Sequence, residues 1–199
     1  MRSCAPEAFR RHAFVRLRRD AWQSVRPEEG ENIPLLRDWL TKDHPLIVRR
    51  PCLSPDASEV FLGLALPGKR RLSFRLPTDC VTSLEPPPLW QGDHLKIEGH
   101  PLRMFGSYAW QHLTGLSYVT EKSDVDLLLD IATSAEWRDF LSQNIALPAS
   151  PHIDLEIAFG GDASINWREY LGPTDDLLIK SNLRVWLERK NRLSSLLAT

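Results

Sequence analysis

An apolar run interrupted by two acids, Ser123-Asp124-Val125-Asp126-Leu127-Leu128-Leu129, dictates much of what the second half of this chain can become. Its valine and leucines read as a buried strand. Successive strand side chains point to opposite faces, so Asp124 and Asp126 share one face. Two adjacent carboxylates repel each other unless a divalent cation lies between them. Hard oxygen donors of this type suit Mg²⁺ or Mn²⁺. Upstream, Gly106-Ser107 opens a segment, Tyr108 to Leu113, that reads as a helix and is broken by Thr114-Gly115. Backbone N–H groups at such a helix start form a seat for phosphate, and the Ser107 hydroxyl adds a hydrogen bond. Together the two features point to metal-dependent nucleotidyl transfer.

A second acidic strand supports the same reading. His152 to Phe159, HIDLEIAF, carries Asp154 and Glu156 one residue apart and therefore on one face. An acid on an apolar strand is costly to bury without a partner, and a cation shared with Asp124 and Asp126 supplies one. Whether Asp154 or Glu156 is the third ligand is open at this point, as is the identity of the general base. In-line transfer at an α-phosphate is served by two cations roughly 4 Å apart. Asp124 and Asp126 would bridge them, and the third carboxylate could take the proton of an attacking hydroxyl. After a Gly160-Gly161-Asp162 turn, Ala163 to Trp167 reads as a partner strand. Arg168, just beyond it, is a phosphate-binding candidate, while Trp167 either stacks on a base or fills the core. Lys180 ends a strand at Leu177 to Ile179 and is the candidate for the triphosphate or pyrophosphate. A helix capped by Ser134 and a strand at Arg184 to Leu187 complete the half.

The N-terminal half differs in character. Arginines 10, 11, 16, 18 and 19 interleave with Phe14, Val15, Leu17 and Trp22, which predicts an ordered element. Leu35, Leu36, Trp39 and Leu40 recur at helical spacing within Ile33 to Thr41. Strands are expected at Leu46 to Val48, running into Arg49-Arg50, at Val60 to Leu66, and at Arg71 to Leu76, where Leu72, Phe74 and Leu76 alternate with Arg71, Ser73 and Arg75. This small basic sheet is either a solvated face or a receiver for a polyphosphate substrate or an acidic partner protein. Leu84 to Leu89 holds three consecutive prolines and is the expected linker. The domains are therefore 1–86, a basic sheet domain for recognition of a substrate or partner, and 87–199, the catalytic domain. The fold class is α+β: a small N-terminal α/β domain with a mixed sheet, then a mixed sheet flanked by helices. With 25 basic against 26 acidic residues the chain lacks the basic excess of a general nucleic-acid binder. Cys4, Cys52 and Cys80 are too scattered for a zinc site, and no stretch reads as a signal peptide or a membrane span, so a cytoplasmic protein with reduced thiols is expected.

The pattern GS…SDVDLLL resembles the signature of the DNA polymerase β-like nucleotidyltransferase superfamily over residues 101 to 190, with a longer gap than in many members between Ser107 and Asp124. HPLIVRRP at 44–51, LGLALPGKRRLSF at 62–74, INWREY at 165–170 and LLIK at 177–180 are similar to the malonate decarboxylase holo-acyl-carrier-protein synthases, phosphoribosyl-dephospho-CoA transferases. That resemblance spans nearly the whole chain. It implies transfer from 2′-(5″-triphosphoribosyl)-3′-dephospho-CoA to a serine of the acyl carrier subunit of malonate decarboxylase, with pyrophosphate leaving. It also implies that Asp124 and Asp126 are essential. Arg49 and Arg50, with Arg70, Arg71 and Arg75, are then candidates for the carrier's docking surface. The alternative is another nucleotidyltransferase of the same fold, acting on a different protein, a tRNA or a small molecule. A third reading, a binding module with structural aspartates, predicts that Asp124→Ala and Asp126→Ala retain activity.

Overall fold

The computed structural model of the chain describes residues 9–25, 32–68, 70–160 and 162–197; Cys4 and Gly161 of the expected 160–162 turn lie outside the described residues. The chain divides into two compact units, Met1–Pro87 with Trp110–Tyr118, and Pro88–Ala109 with Val119–Thr199.

The first unit is built on a five-stranded sheet of β1 (Phe14–Leu17), β2 (Leu46–Leu53), β3 (Glu59–Ala65), β4 (Arg71–Pro77) and β5 (Val81–Glu85), in the order β4-β3-β2-β1-β5. All of its pairings are antiparallel, not mixed as expected, because each neighbour is reached by a hairpin or by a return along the edge. The arginine-rich N-terminal segment supplies an inner strand of this sheet. Alternation sends Val15, Val48, Leu62 and Leu76 into the core. Helix α1 (Ile33–Thr41) starts with a proline in its first turn, where a missing N–H is harmless, and buries Leu36, Trp39 and Leu40. Trp39 Nε1 donates to the Pro45 carbonyl at 2.9 Å, so the expected helix stop also anchors the helix. Leu84 and Glu85, expected in the linker, instead end β5, paired with Val15 and Phe14.

The second unit holds a six-stranded mixed sheet in the order β11-β10-β9-β8-β7-β6. Its strands are β6 (Arg103–Met104), β7 (Val125–Ile131), β8 (Ile153–Phe159), β9 (Ala163–Asn166), β10 (Asp176–Lys180) and β11 (Val185–Arg189). Only β7 and β8 run parallel, joined by helix α3 (Ser134–Ser142). The cap of α3 is Thr133, one residue before the expected Ser134: its hydroxyl accepts from Glu136 N, and Glu136 Oε2 accepts from Ala132 N. Helix α4 (Trp167–Leu171) begins at Trp167, which was expected to end β9. One sheet face is apolar. Against it Trp137 and Phe140 of α3, Phe159 of β8 and Trp167 of α4 form an aromatic cluster with centroids 4.8 to 5.6 Å apart along the chain of contacts Phe159–Trp137–Phe140–Trp167. Trp167 is therefore a core residue. Helix α2 (Gly106–Thr114) has its first four residues in the second unit and the rest in the first. No described helix is long and apolar enough to cross a membrane.

Candidate active site

Register decides what the sheet's other face presents. Parallel pairing sets Asp126 directly opposite Asp154, with Leu128 opposite Glu156. Residues paired across a ladder share a face and follow one another at a spacing of two. Asp126, Asp154 and Glu156 therefore project from the same side of β7 and β8, as the alternation in each strand predicted. The ladder's start extends this order. Val125 N donates to His152 O at 2.9 Å, and just outside it Asp124 Oδ1 lies 3.2 Å from His152 Nδ1, both side chains being exposed. Glu156 is far more enclosed, at 7% exposure.

Asp126 meets the start of α2. Phe105 N donates to the Asp126 carbonyl at 3.0 Å, and Gly106 has φ +61°. A Cβ at Gly106 would lie 1.8 Å from Asp126 Oδ2, so only glycine leaves room for this carboxylate. The expected reason for the glycine was approach of a triphosphate; in the structure the closest group is the acid itself. The α2 N-terminus is also the positive end of a helix dipole, a favourable neighbour for negative charge. Ser107, half-buried, is the next residue of that first turn.

Asp154 is held from the other side. Asn166 Nδ2 donates to Asp154 Oδ1, while Asn166 Oδ1 accepts from Arg168 N at 2.9 Å and Glu169 N at 3.2 Å. One amide thus caps α4 with its oxygen and orients the acid with its nitrogen. Arg168 Nη2 donates to Ile153 O at 3.1 Å and so ties α4 back to β8. Lys180 pairs with Ser164, which pairs with Ala158, and so shares the acids' face.

Sequence reasoning missed three residues of this face. His152 was within reach, because the alternation His152, Asp154, Glu156 was already in the strand. Asn166 lies in the strand as expected, but its N-cap signal, an Asx residue three positions before Glu169, was not read. Arg103, opposite Leu128 and hence on the acids' side, belongs to a two-residue strand too short to show a period.

The described residues contain no cluster of three or more His, Cys, Asp and Glu placed to hold a metal ion. The expected trio Asp124, Asp126 and Asp154 is thus arranged as an in-register pair with Asp124 beside His152. Two carboxylates nevertheless fit Mg²⁺, which commonly takes one or two from the protein and the rest from substrate phosphate and water.

In the first unit, Arg49 and Arg50 lie within β2, with Arg49 exposed. Arg50 Nη1 is buried with no hydrogen-bond partner among the described residues. Burial, and then the charge of Arg50, bring Arg11 down to about 10. Of the other basic candidates, Arg75 pairs with Glu59 at 3.3 Å and Arg70 donates to Asn32 at 3.3 Å.

Comparison with known proteins adds the family. Residues 10–87 match the phosphoribosyl-dephospho-CoA transferase MdcG N-terminal domain, and residues 87–191 match the MdcG C-terminal domain. A phosphoribosyl-dephospho-CoA transferase of Xanthomonas euvesicatoria pv. vesicatoria (strain 85-10) is 38% identical over 86% of this chain and 90% of its own length. Its namesakes from Bradyrhizobium diazoefficiens and Xanthomonas axonopodis pv. citri (strain 306) are 34% and 35% identical, over 81% and 86% of this chain and 80% and 90% of their own. No solved structure matches. The chain belongs to the phosphoribosyl-dephospho-CoA transferase family.

Proposed function

We propose that this member of the family moves the phosphoribosyl-dephospho-CoA group of 2′-(5″-triphosphoribosyl)-3′-dephospho-CoA onto a serine of the acyl carrier subunit of a malonate decarboxylase. The observation that carries the reading is the in-register pair Asp126 and Asp154, set against the start of α2 at Gly106. In the reaction the serine Oγ forms a bond to the phosphorus next to the ribose. The bond from that phosphorus to the pyrophosphate breaks in line, and a carboxylate oxygen of β8 takes the serine proton. Asp126 and Asp154, with Asp124 at the open end of the ladder, are the residues that would hold Mg²⁺ or Mn²⁺. When bound, such an ion neutralises charge on the reacting phosphate and on the leaving group.

The chain's own residues supply the rest. Asn166 fixes the direction of Asp154, and Gly106 gives Asp126 its space. The first-turn N–H groups of α2 and the Ser107 hydroxyl suit phosphate oxygens, and Lys180 and Arg168 add positive charge on or beside the same face. Arg49 and Arg50, the latter with its unpartnered N–H, attract the anionic reactants, an effect that salt weakens.

Mass spectrometry of the apo carrier, incubated with this protein, Mg²⁺ and the donor, tests the proposal. A mass increase equal to the phosphoribosyl-dephospho-CoA group is expected, together with loss of that product when EDTA is added. An unmodified carrier, alongside incorporation from labelled ATP into another acceptor, would overturn it in favour of a different transferase reaction.

A further inference from the structure

The carboxylate face of the second sheet changes character at its far edge. On β10 and β11, Leu178, Val185 and Leu187 are 37%, 48% and 67% exposed, whereas Leu177 and Ile179 on the opposite face are buried. Leu178 pairs with Leu187 and Lys180 with Val185, so the three aliphatic side chains form one patch. Lys180 pairs with Ser164 and Ser164 with Ala158, which is two residues from Glu156. The patch therefore lies on the same side of the sheet as Asp154 and Glu156. Continuing the β9–β10 ladder by two residues sets Leu178 beside Asn166, the residue that holds Asp154. With strands about 4.8 Å apart, the patch starts two strands, or about 10 Å, from the β8 acids. β11 is also the outer strand of the sheet. An edge strand showing aliphatic side chains to water is a feature that proteins normally blunt or cover.

We propose that this β10–β11 face is the docking surface for the protein acceptor: a small acidic domain that lies on the aliphatic patch and extends its serine along the sheet to Asp126 and Asp154. The inference rests on the transfer reaction proposed above. Two observations select this occupant. The patch is continuous with the row of residues that ends at the acids, and a macromolecule bound about 10 Å from them is within reach of its own surface loop. On the same face its border carries Lys180 and Arg189 against Asp176, two cations to one anion, which favours an acidic partner. A permanent second copy on β11 would instead wall off the row from any protein substrate.

The test uses Leu187→Asp and Leu178→Ser, both at exposed positions, with Leu187→Met as the conservative control and circular dichroism to verify folding. Transfer to the apo carrier is followed with carrier and donor varied separately. The expected result is a KM for the carrier raised about tenfold or more in the Asp and Ser variants, with kcat and the donor KM within about twofold of the parent, and near-parent values for the Met variant. Carrier binding in the absence of donor weakens by the same factor. An unchanged carrier KM in both variants, while the parent chain transfers normally, overturns the docking surface and leaves the reaction standing. A parent that transfers nothing to the carrier overturns both. If sedimentation finds a parent dimer that Leu187→Asp dissociates without altering the carrier KM, the face belongs to a second copy and the proposal falls.

Discussion

A side chain at Gly106 would collide with the Asp126 carboxylate, and that closeness makes the glycine the most sensitive single position of the site. Alanine there combines a left-handed φ of +61° with a methyl group 1.8 Å from Asp126 Oδ2. The backbone penalty alone is about 1 kcal/mol, so the carboxylate must turn away. Gly106→Ala is expected to fold, with a Tm lowered by a few degrees, and to lose on the order of 10²-fold in kcat. Parent-like transfer by this variant would show that the position of Asp126 is unimportant. His44, in the first unit, provides a separate pH signature. Burial first, then Lys42 and Arg16, lower its pKa from the ordinary value of 6.5, and its ring lies 4.7 Å from that of Trp39. With the folded value below the unfolded one, the unfolded state binds the proton first as pH falls. Its stability contribution is therefore present above about pH 6.5 and is lost as pH drops towards and through the folded value. Melting curves from pH 8 to 5 should show the parent losing Tm below pH 6.5 and His44→Gln losing less; identical slopes would exclude this histidine as a source.

At the scale of elements, the sequence was most legible where one period ran long enough to be read. The apolar core of β7, the alternation of β8, the α1 stripe and the break of α2 at Gly115 all followed from local pattern. Pairing was not legible. That Asp126 stands opposite Asp154 and not opposite Glu156 depends on how β7 and β8 slide against each other, and neither strand encodes its partner's register. Asn166 was legible as part of a strand but not as a helix cap, because β9 passes directly into α4. The last two residues of β5, Leu84 and Glu85, were read as linker because they precede three prolines. The segment after α2 shows how a loop gains definition from tertiary contact: Tyr118 donates its hydroxyl to the Ala65 carbonyl at 2.8 Å, and burial pushes its pKa up to about 12. Tyr118→Phe should destabilise by about 1 kcal/mol, lowering Tm by about 2–4 °C. Its alkaline difference spectrum should lose the tyrosine that ionises last. A Tm equal to the parent's would mean that water serves the carbonyl equally well.

For the molecule as a whole, the two units divide the labour of folding differently. The first has a sheet with antiparallel hairpins and a core of aliphatic and aromatic side chains. The second packs one face of its sheet with aromatic rings and gives up part of the other face to charge. That concession has a thermodynamic sign. Asp126 and Asp154 hold like charges one strand apart, about 4.8 Å between backbones, and their repulsion in a solvent-accessible setting is on the order of 1 kcal/mol. Asp154→Asn keeps an acceptor for Asn166 while removing one charge. It should melt about 2–4 °C above the parent in metal-free buffer and have almost no transferase activity. A lower melting point would mean that the carboxylate contributes more through its hydrogen bond than it loses through its neighbour. If the pair behaves as expected, selection of randomised variants for heat resistance alone would enrich inactive chains at these two positions. Persistence of both acids in a population would then record selection for turnover against a standing pull towards stability.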